Sequence, residues 1–362
     1  MSLKIVHCAD LHIGAPCQGL TSTLAAQRSS EIRSSLSEIV NFCKEKKVDA
    51  LLICGDLFDT PDPSRADCDF VRDTLSSLSP VDVFILCGNH DYMCAQSPFS
   101  KEDYFSDNVH IFPCFEHCFE IPEKNVVFWG KSYSSPTTFA SFSECISDSN
   151  KINIMCLHGD LTPGSTYNII NKDTLSSLKP DYAAFGHIHN AEIFDIENTT
   201  CAYCGTPEGH KFNDDGTTGF IYAQISKENT ALSRICLTKR KYQNISLDIT
   251  GKDTLSIIEE AKSIINQTDL FRLTLQGTLY ENEFLNIAVI EKELSPLTFY
   301  IEVSDSTTPG YDLDSIEKEE GLRGEFLRQL RTITDNEEDF VNSARAGLDA
   351  LSGRVPDVGG AL

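Results

Sequence analysis

Five times along this chain an unbroken apolar run gives way abruptly to Asp, Asn or His. The runs begin near Ile5, Ala50, Val83, Ile152 and Tyr182. The polar residues that follow are Asp10 and His12, then Asp56 and Asp59, Asn89 and His90, His158, and finally His187 and His189. Short apolar runs bounded by Gly and polar turn residues read as buried strands. In open α/β sheets ligands bind at the carboxyl ends of strands, so five strand ends here aim polar side chains at one point.

Between the first three strands the apolar positions recur at helical spacing. Leu24, Ile32, Leu36, Ile39 and Cys43 mark a helix over 23–46, and a second helix is expected over 65–78 after the Pro-broken loop at Pro61 and Pro63. Such βαβαβ alternation predicts parallel strands joined by crossovers. Shorter strands follow around 110–112, 119–121 and 125–130, then a helix near 137–146, a strand at 152–157, a helix at 171–178 and a strand at 182–185. Beyond His189 the pattern turns to strand upon strand, at 192–196, 219–226, 231–237 and 242–248, and predicts a second, largely antiparallel sheet.

Residues 251–253 read as a boundary. A helix (254–266), a strand (270–279), a helix (281–293) and a strand (297–303) then form a small α+β unit, and the Ser/Thr/Pro/Gly stretch 304–310 reads as a linker. The remainder, 313–354, reads as two acidic helices, with Leu322, Phe326, Leu330 and Ile333 on one face. The expected domains are therefore 1–250, 251–305, and 306–362 for linker and C-terminal helices.

At 362 residues the chain is long enough for such a division, and each large part can bury a core. The first strand meets Asp10 with no signal-peptide pattern before it, and no apolar run approaches the ~20 residues of a membrane span. A cytoplasmic location is the expectation. Most of the 14 cysteines sit inside apolar runs and read as reduced, buried thiols; Cys201-x-x-Cys204 lacks the second pair of a zinc site or a thioredoxin-like setting. The net charge of −24 excludes a protein that coats nucleic acid with its own basic surface. Residues 251–362 hold 22 Asp and Glu against 10 Lys and Arg, half of that excess. If DNA is the substrate, bound cations or a partner must supply much of the attraction.

Asp10, His12, Asp56, Asn89, His158, His187 and His189 offer carboxylate, amide and imidazole donors without thiolate. That set suits manganese, iron or zinc in a hydrolytic site. Seven donors exceed the needs of one ion and fit two ions that share a carboxylate, the clamp phosphoesterases use to polarise phosphoryl oxygens and activate a water. His90, beside Asn89, suits proton transfer to the departing oxygen. Taken singly, each motif has a plain competitor, a turn or a capped loop. Five of the nine histidines nevertheless fall within these motifs, in order and after apolar runs. His7, His110, His117 and His210 fall outside them and read as structural.

Asp10-x-His12, Gly55-Asp56-x-x-Asp59, Gly88-Asn89-His90-Asp91, His158-Gly159 and Gly186-His187-x-His189 together resemble the signature of the calcineurin-like metallophosphoesterase superfamily. Ala9–Gly14, Gly205-Thr206-Pro207-Glu208 and 272–277 resemble its DNA repair exonuclease branch, the SbcD-type nuclease subunit. The resemblance implies an α/β, four-layer β-sandwich of two mixed sheets flanked by helices, with a small α+β capping domain and C-terminal helices. It implies one divalent ion on Asp10, His12, Asp56 and His189, and another on Asp56, Asn89, His158 and His187. His90 would serve the leaving group, with Asp91 orienting it. Manganese is the metal it favours, with iron or zinc as alternatives.

The function expected is a metal-dependent DNA exonuclease or endonuclease working in repair, and the resemblance implies an SMC-like ATPase docked on the C-terminal helices and a homodimer. Two other functions stay open: a phosphodiesterase or phosphatase on small nucleotides, and a non-catalytic scaffold subunit of the ATPase complex. The docked helices have their own competitor, a helical hairpin folded onto its own domain.

Overall fold

The structure is a computed structural model that describes residues 2–17, 19–137, 150–162, 169–214, 218–280 and 285–353. The chain divides into two compact units, Met1–Gln243 and Asn244–Leu362. The helix expected near 137–146 lies outside the described residues.

The first unit begins with β1 (Leu3–Cys8), α1 (Ser22–Lys46), β2 (Ala50–Cys54), α2 (Arg65–Ser76), β3 (Asp82–Leu86) and β4 (Val109–Ile111). Strands β1 to β4 lie side by side and parallel. Their near-continuous apolar sequences suit burial on both faces, and β2 is buried at every position. Both helices start at a capping hydroxyl: Thr21 accepts the Leu24 N–H and Ser64 the Asp67 N–H. From α1, Ile32, Leu36, Ile39 and Cys43 pack with Val71 and Leu75 of α2 against Val6, Ile53 and Ile85 of the strands.

Next come β5 (His117–Ile121), β6 (Val126–Gly130), β7 (Ile152–His158), α3 (Lys172–Leu178), β8 (Tyr182–Gly186), β9 (Glu192–Ile196) and β10 (Thr199–Tyr203). They form a second six-stranded sheet in the order β5-β6-β7-β8-β10-β9, with Leu175 of α3 packed against Met155 and Phe185. The hairpin β11 (Gly219–Ile225) and β12 (Thr230–Cys236) joins the first sheet instead, with β11 antiparallel to β1. Among the described residues no separate antiparallel sheet therefore follows His189. A hairpin carries its pairing in its own sequence, but which sheet edge it extends depends on distant strands. β10 has no counterpart among the expected strands, because Thr199–Tyr203 reads as polar until it pairs in parallel with β8.

The two sheets face each other across Ile5, Leu52, Phe84, Phe112, Phe128, Ile154 and Ile221. At the centre Phe84 stacks on Phe128 with ring centroids 4.3 Å apart. This is the mixed α/β architecture anticipated: two large mixed sheets flanked by helices.

The second unit contains β13 (Tyr242–Asp248), α4 (Thr254–Lys262), β14 (Leu270–Tyr280), α5 (Ile287–Leu294) and β15 (Tyr300–Gly310). The strands form a three-stranded sheet in that order, so β13 leaves the first unit's sheets, although its alternation alone assigns it there. Ile257, Ile258, Phe271, Leu273, Ile290 and Leu294 build the core. β15 runs through the stretch expected to be a linker. Its Ser and Thr residues pair with β14 out to Gly310 opposite Tyr280, a polar strand that composition alone cannot separate from a loop.

Helices α6 (Leu313–Ile316), α7 (Leu322–Ile333) and α8 (Glu337–Leu351) gather around Tyr311, Ile316, Leu327, Phe340, Ala344 and Leu348. The apolar stripe of α7 is thereby split. Phe326 and Leu330 turn onto this cluster, while Leu322 and Ile333 stay 71% and 79% exposed. Among the described residues no helix is long and apolar enough to cross a membrane.

Replacing Phe84 by Ala should lower the stability of the first unit by about 3–5 kcal/mol, as for other buried Phe-to-Ala changes. Chemical denaturation followed by the fluorescence of Trp129, the chain's single tryptophan, measures it. A loss under about 1 kcal/mol would show that the inter-sheet core is not packed as described.

Candidate metal centre

The ends of β1, β2, β3, β7 and β8 carry Asp10 and His12, Asp56, Asn89 and His90, His158, and His187 and His189. The first three of these strands are mutually parallel, and so are the last two. All seven residues expected as ligands therefore reach one edge of the sandwich. The turns after β1 and β2 are zipped together by Asp10 N–H to Gly55 O (3.0 Å), His12 N–H to Asp56 O (3.0 Å) and Ile13 N–H to Leu57 O (2.9 Å). Four of the seven hold left-handed backbone: Asp10 (φ 54°), His12 (45°), Asp56 (52°) and His187 (91°). Such conformations cost on the order of 1–3 kcal/mol each and concentrate where a function demands them.

Close approach depends on glycine. A Cβ on Gly88 would sit 2.2 Å from Asp56 Oδ1, and one on Gly55 2.2 Å from His158 Nδ1. Gly88 is thus a clearance for the Asp56 carboxylate.

The donor set has an arrangement that neutral hydrogen bonding does not explain. His12 Nδ1 lies 3.0 Å from Asp59 Oδ1 and His189 Nδ1 lies 2.9 Å from Asp214 Oδ1, so each carboxylate holds the Nδ1–H tautomer. Both Nε2 lone pairs then face each other at 3.3 Å. His158 repeats the pattern: its Nδ1 donates to Cys54 O (2.9 Å), turning Nε2 toward Asn89 Oδ1 (3.0 Å) and Asp56 Oδ2 (3.3 Å). His187 Nδ1 also lies 3.0 Å from Asn89 Oδ1. Acceptors converge while donors point away, which is what a cation requires of its ligands. Potential ligand atoms of Asp10, His12 and His189 lie within 4.8 Å of one another, as do those of Asp10, Asp56 and His158. The residues present therefore fit divalent metal.

The protonation pattern says the same. Burial raises the Asp10 carboxyl, with His158 and His189 opposing that shift. Burial also works to raise Asp56, but His158, His12 and His90 outweigh it and hold this carboxyl well below the usual range. For His158 burial favours the neutral form, yet Asp56 and Asp10 push the imidazole up to about 9. Without metal, a proton on His158 neutralises the Asp56 carboxylate 3.3 Å away. His187, partly buried and close to His158, is pushed down to about 4.

His90 stands at the rim with 45% of its side chain exposed. Its Nδ1 lies 3.2 Å from Asp59 O and 3.5 Å from Asp59 Oδ1. Asp91 does not touch this ring among the described residues. Its carboxylate instead accepts the backbone N–H groups of Asp56 (3.2 Å), Leu57 (2.8 Å), Phe58 (3.2 Å) and Gly88 (2.7 Å), tying the β2 and β3 turns together. The carboxylate recorded beside the His90 ring is that of Asp59, which also meets His12.

Two contributors lie outside the sequence expectations. Asp214 holds His189 and is buried; it lies in a Gly/Asp/Asn-rich loop where nothing in the spacing distinguishes it. His210, expected to be structural, is partly buried with its ring 5.2 Å from His12 and 6.2 Å from His189, and neither of its solvent-shielded ring nitrogens has a hydrogen-bond partner among the described residues. Thr206 supports the site from below, its hydroxyl 2.8 Å from Asp10 O, while Glu208 accepts from the buried Arg28 guanidinium at 3.2 Å. His7 packs in the core with Nδ1 2.8 Å from the Tyr182 hydroxyl, consistent with a structural role. Cys201 and Cys204 are buried free thiols; burial pushes Cys201 up to about 12 and raises Cys204 well above the usual thiol range, which rules against a redox pair.

Comparison with known proteins follows the same lines. A family model described as calcineurin-like phosphoesterase matches residues 3–191. The chain is 24% identical over 354 residues to the uncharacterized metallophosphoesterase YhaO of Bacillus subtilis, covering 94% of this chain and 80% of that protein. It is 23% identical over 307 residues to the SbcD component of the nuclease SbcCD of Staphylococcus epidermidis, covering 75% and 79%. Among solved structures it is similar to a dimetal phosphatase from Danio rerio, with TM-score 0.42, 13% identity, and coverage of 64% of this chain and 98% of that one.

Were His158 to hold a metal ion, binding would displace its proton, since a folded value of about 9 keeps the imidazole protonated at neutral pH. Calorimetric titration with Mn²⁺ at pH 7.5 should therefore show proton release, and affinity should strengthen as pH rises toward 9. Heats that do not vary with the buffer's ionisation enthalpy would refute this. Gly88→Ala should lose metal while keeping native circular dichroism; full metal content in that variant would contradict the clearance assigned to Gly88.

Proposed function

This chain belongs to the calcineurin-like phosphoesterase family, and from that premise we propose that it is a divalent-metal-dependent nuclease hydrolysing phosphodiester bonds in DNA. The observation that carries the reading is the extent of the likeness to the SbcD component of the nuclease SbcCD. At 75% of the chain it reaches past residues 3–191, so it takes in more than the hydrolytic domain that every phosphoesterase shares.

Two ions, manganese by preference, would supply Lewis acidity at the phosphoryl oxygens and an activated water. Asp10, His12, Asp56 and His189 would hold one and Asp56, Asn89, His158 and His187 the other, with Asp56 shared. The chain's own residues do the rest. Asp59 and Asp214 fix the ring orientation of His12 and His189, so that Nε2 and not Nδ1 faces the centre. His90, at the rim with Nδ1 held against Asp59, keeps Nε2 available to give a proton to the departing oxygen. The Asp59 carboxylate, 3.5 Å from the same Nδ1, helps to hold the ring in that orientation. Asp91 keeps the two turns that carry Asp56 and Asn89 in register. The exposed Leu322 and Ile333 of α7 are the part of the tail we assign to an SMC-like ATPase subunit.

With Mn²⁺ present, release of nucleotides from duplex DNA ends should exceed hydrolysis of p-nitrophenyl phosphate. Asp56→Asn should abolish both activities, and His90→Gln should lower turnover by about 10²–10⁴-fold, the usual contribution of a general acid, while retaining two ions by elemental analysis. Faster turnover of monoesters or cyclic nucleotides than of DNA would replace the nuclease with a small-nucleotide enzyme. Absence of any metal-dependent hydrolysis would leave a scaffold subunit.

A further inference from the structure

A cleft of about 370 Å³ opens beside the metal centre, lined in part by Asn89, His90, His187, His189, Lys211 and Asn213. Lys211 is the one permanently cationic side chain among the described residues that line it. The chain carries 54 acidic residues against 30 basic ones, and many of its cations are taken up in ion pairs: Lys151 with Glu120, Lys227 with Asp181, Lys239 with Glu38. Among the described residues the Lys211 ammonium has no such partner.

The position of Lys211 is fixed by the centre itself. The buried Asp214 carboxylate uses Oδ1 to hold His189 Nδ1 at 2.9 Å. With Oδ2 it accepts the backbone N–H of His210 at 2.6 Å and of Lys211 at 3.2 Å. One side chain thus orients an imidazole of the centre and anchors the backbone from which Lys211 projects. His210, immediately before it, is packed under His12 and His189 and holds the other side of the same turn. The Lys211 backbone is thereby tied to the carboxylate that orients His189, and its exposed side chain lines the cleft.

We propose that Lys211 is the substrate-side phosphate contact of this enzyme, its ammonium pairing with a non-bridging oxygen of the phosphoryl group that reacts at the metal centre. The ligand class is a phosphoester or phosphate anion, recognised by a point charge with three rotatable donors. The assignment rests on the phosphoesterase reading of the site and not on DNA as the substrate. In an open cleft, where the chain's net charge of −24 repels anions, a local cation supplies attraction that the overall field does not. Because its charge faces the anion both before and during reaction, its contribution falls mainly on binding.

The test uses the full-length protein loaded with Mn²⁺, in two arms. In the first, calorimetry measures binding of inorganic phosphate. Lys211→Gln should weaken it by about tenfold and Lys211→Arg should restore it to within about threefold, as expected for one charge-assisted contact. In the second, hydrolysis of bis(p-nitrophenyl) phosphate should show KM raised by a similar factor with kcat changed by less than about threefold, and a weaker dependence of KM on salt. Metal content should stay at the wild-type value in both variants. Unchanged phosphate affinity and KM in Lys211→Gln would overturn the proposal, and so would loss of metal, which would make Lys211 a structural support of His189. A wild-type protein that binds phosphate but does not hydrolyse the diester would count against the hydrolytic reading while the first arm still decides Lys211.

Discussion

Everything in the first unit answers to one electrostatic difficulty: two buried carboxylates and several imidazole lone pairs are gathered at one point. Left alone they repel, and burial deprives them of water. The difficulty is met in two stages. Asp56 is kept ionised by the imidazoles around it, whereas Asp10, also buried, is pulled toward the neutral form. Two carboxyl groups at one centre are driven in opposite directions, Asp56 toward the charged form and Asp10 toward the neutral one. A proton on His158 is the provisional partner, and a dication is the final one.

The scaffold around that point consists largely of devices that hold it together against its own repulsion. Hydrogen bonds lock the β1 turn to the β2 turn, and the Asp91 carboxylate gathers four backbone N–H groups from the β2 and β3 turns. Buried among them and near Asp56, Asp91 is itself pushed up to about 7, burial being the larger cause. Left-handed backbone at Asp10, His12 and Asp56 is tolerated because these bonds over-determine it, and at His187 the backbone N–H is held by the Asp10 carboxylate at 3.0 Å. Nothing about these turns optimises stability; they give some of it up to hold the geometry of the centre.

How much of this the sequence discloses depends on the range of the interaction. Strands β1, β2, β3, β7 and β8 are legible because each is a short apolar run with an abrupt polar end, and the histidines and aspartates at those ends announce the centre directly. The α1 and α2 helices are legible from spacing and caps. The fate of β9 to β13 is not, since pairing partners far away in sequence decide which sheet a strand joins. Asp214 and the contact between Asp59 and His90 are hidden for a related reason: a supporting carboxylate has no periodicity and becomes meaningful only beside the ring it orients. The polar half of β15 looks like a linker because Ser and Thr serve a strand and a loop equally well until the partner strand is in view.

The charge of the chain then constrains how its site can work. The chain carries a net charge of −24 and the phosphoesters its family hydrolyses are anions, so net charge supplies no long-range attraction. Attraction has to be local: the cations that Asp10, Asp56 and the imidazoles are arranged to hold, and Lys211 at the cleft. Local attraction is short in range, because at physiological salt the Debye length is about 8 Å. An extended polyanion would meet that small positive zone set in a negative surface and gain contacts at only one or two phosphates. Tight engagement of a long duplex therefore calls for basic surface contributed by another subunit, whereas a single phosphoester needs only the centre and its cleft. For the nuclease reading proposed above, the acidity of this chain argues that it would supply the chemistry while basic surface from elsewhere would hold the duplex.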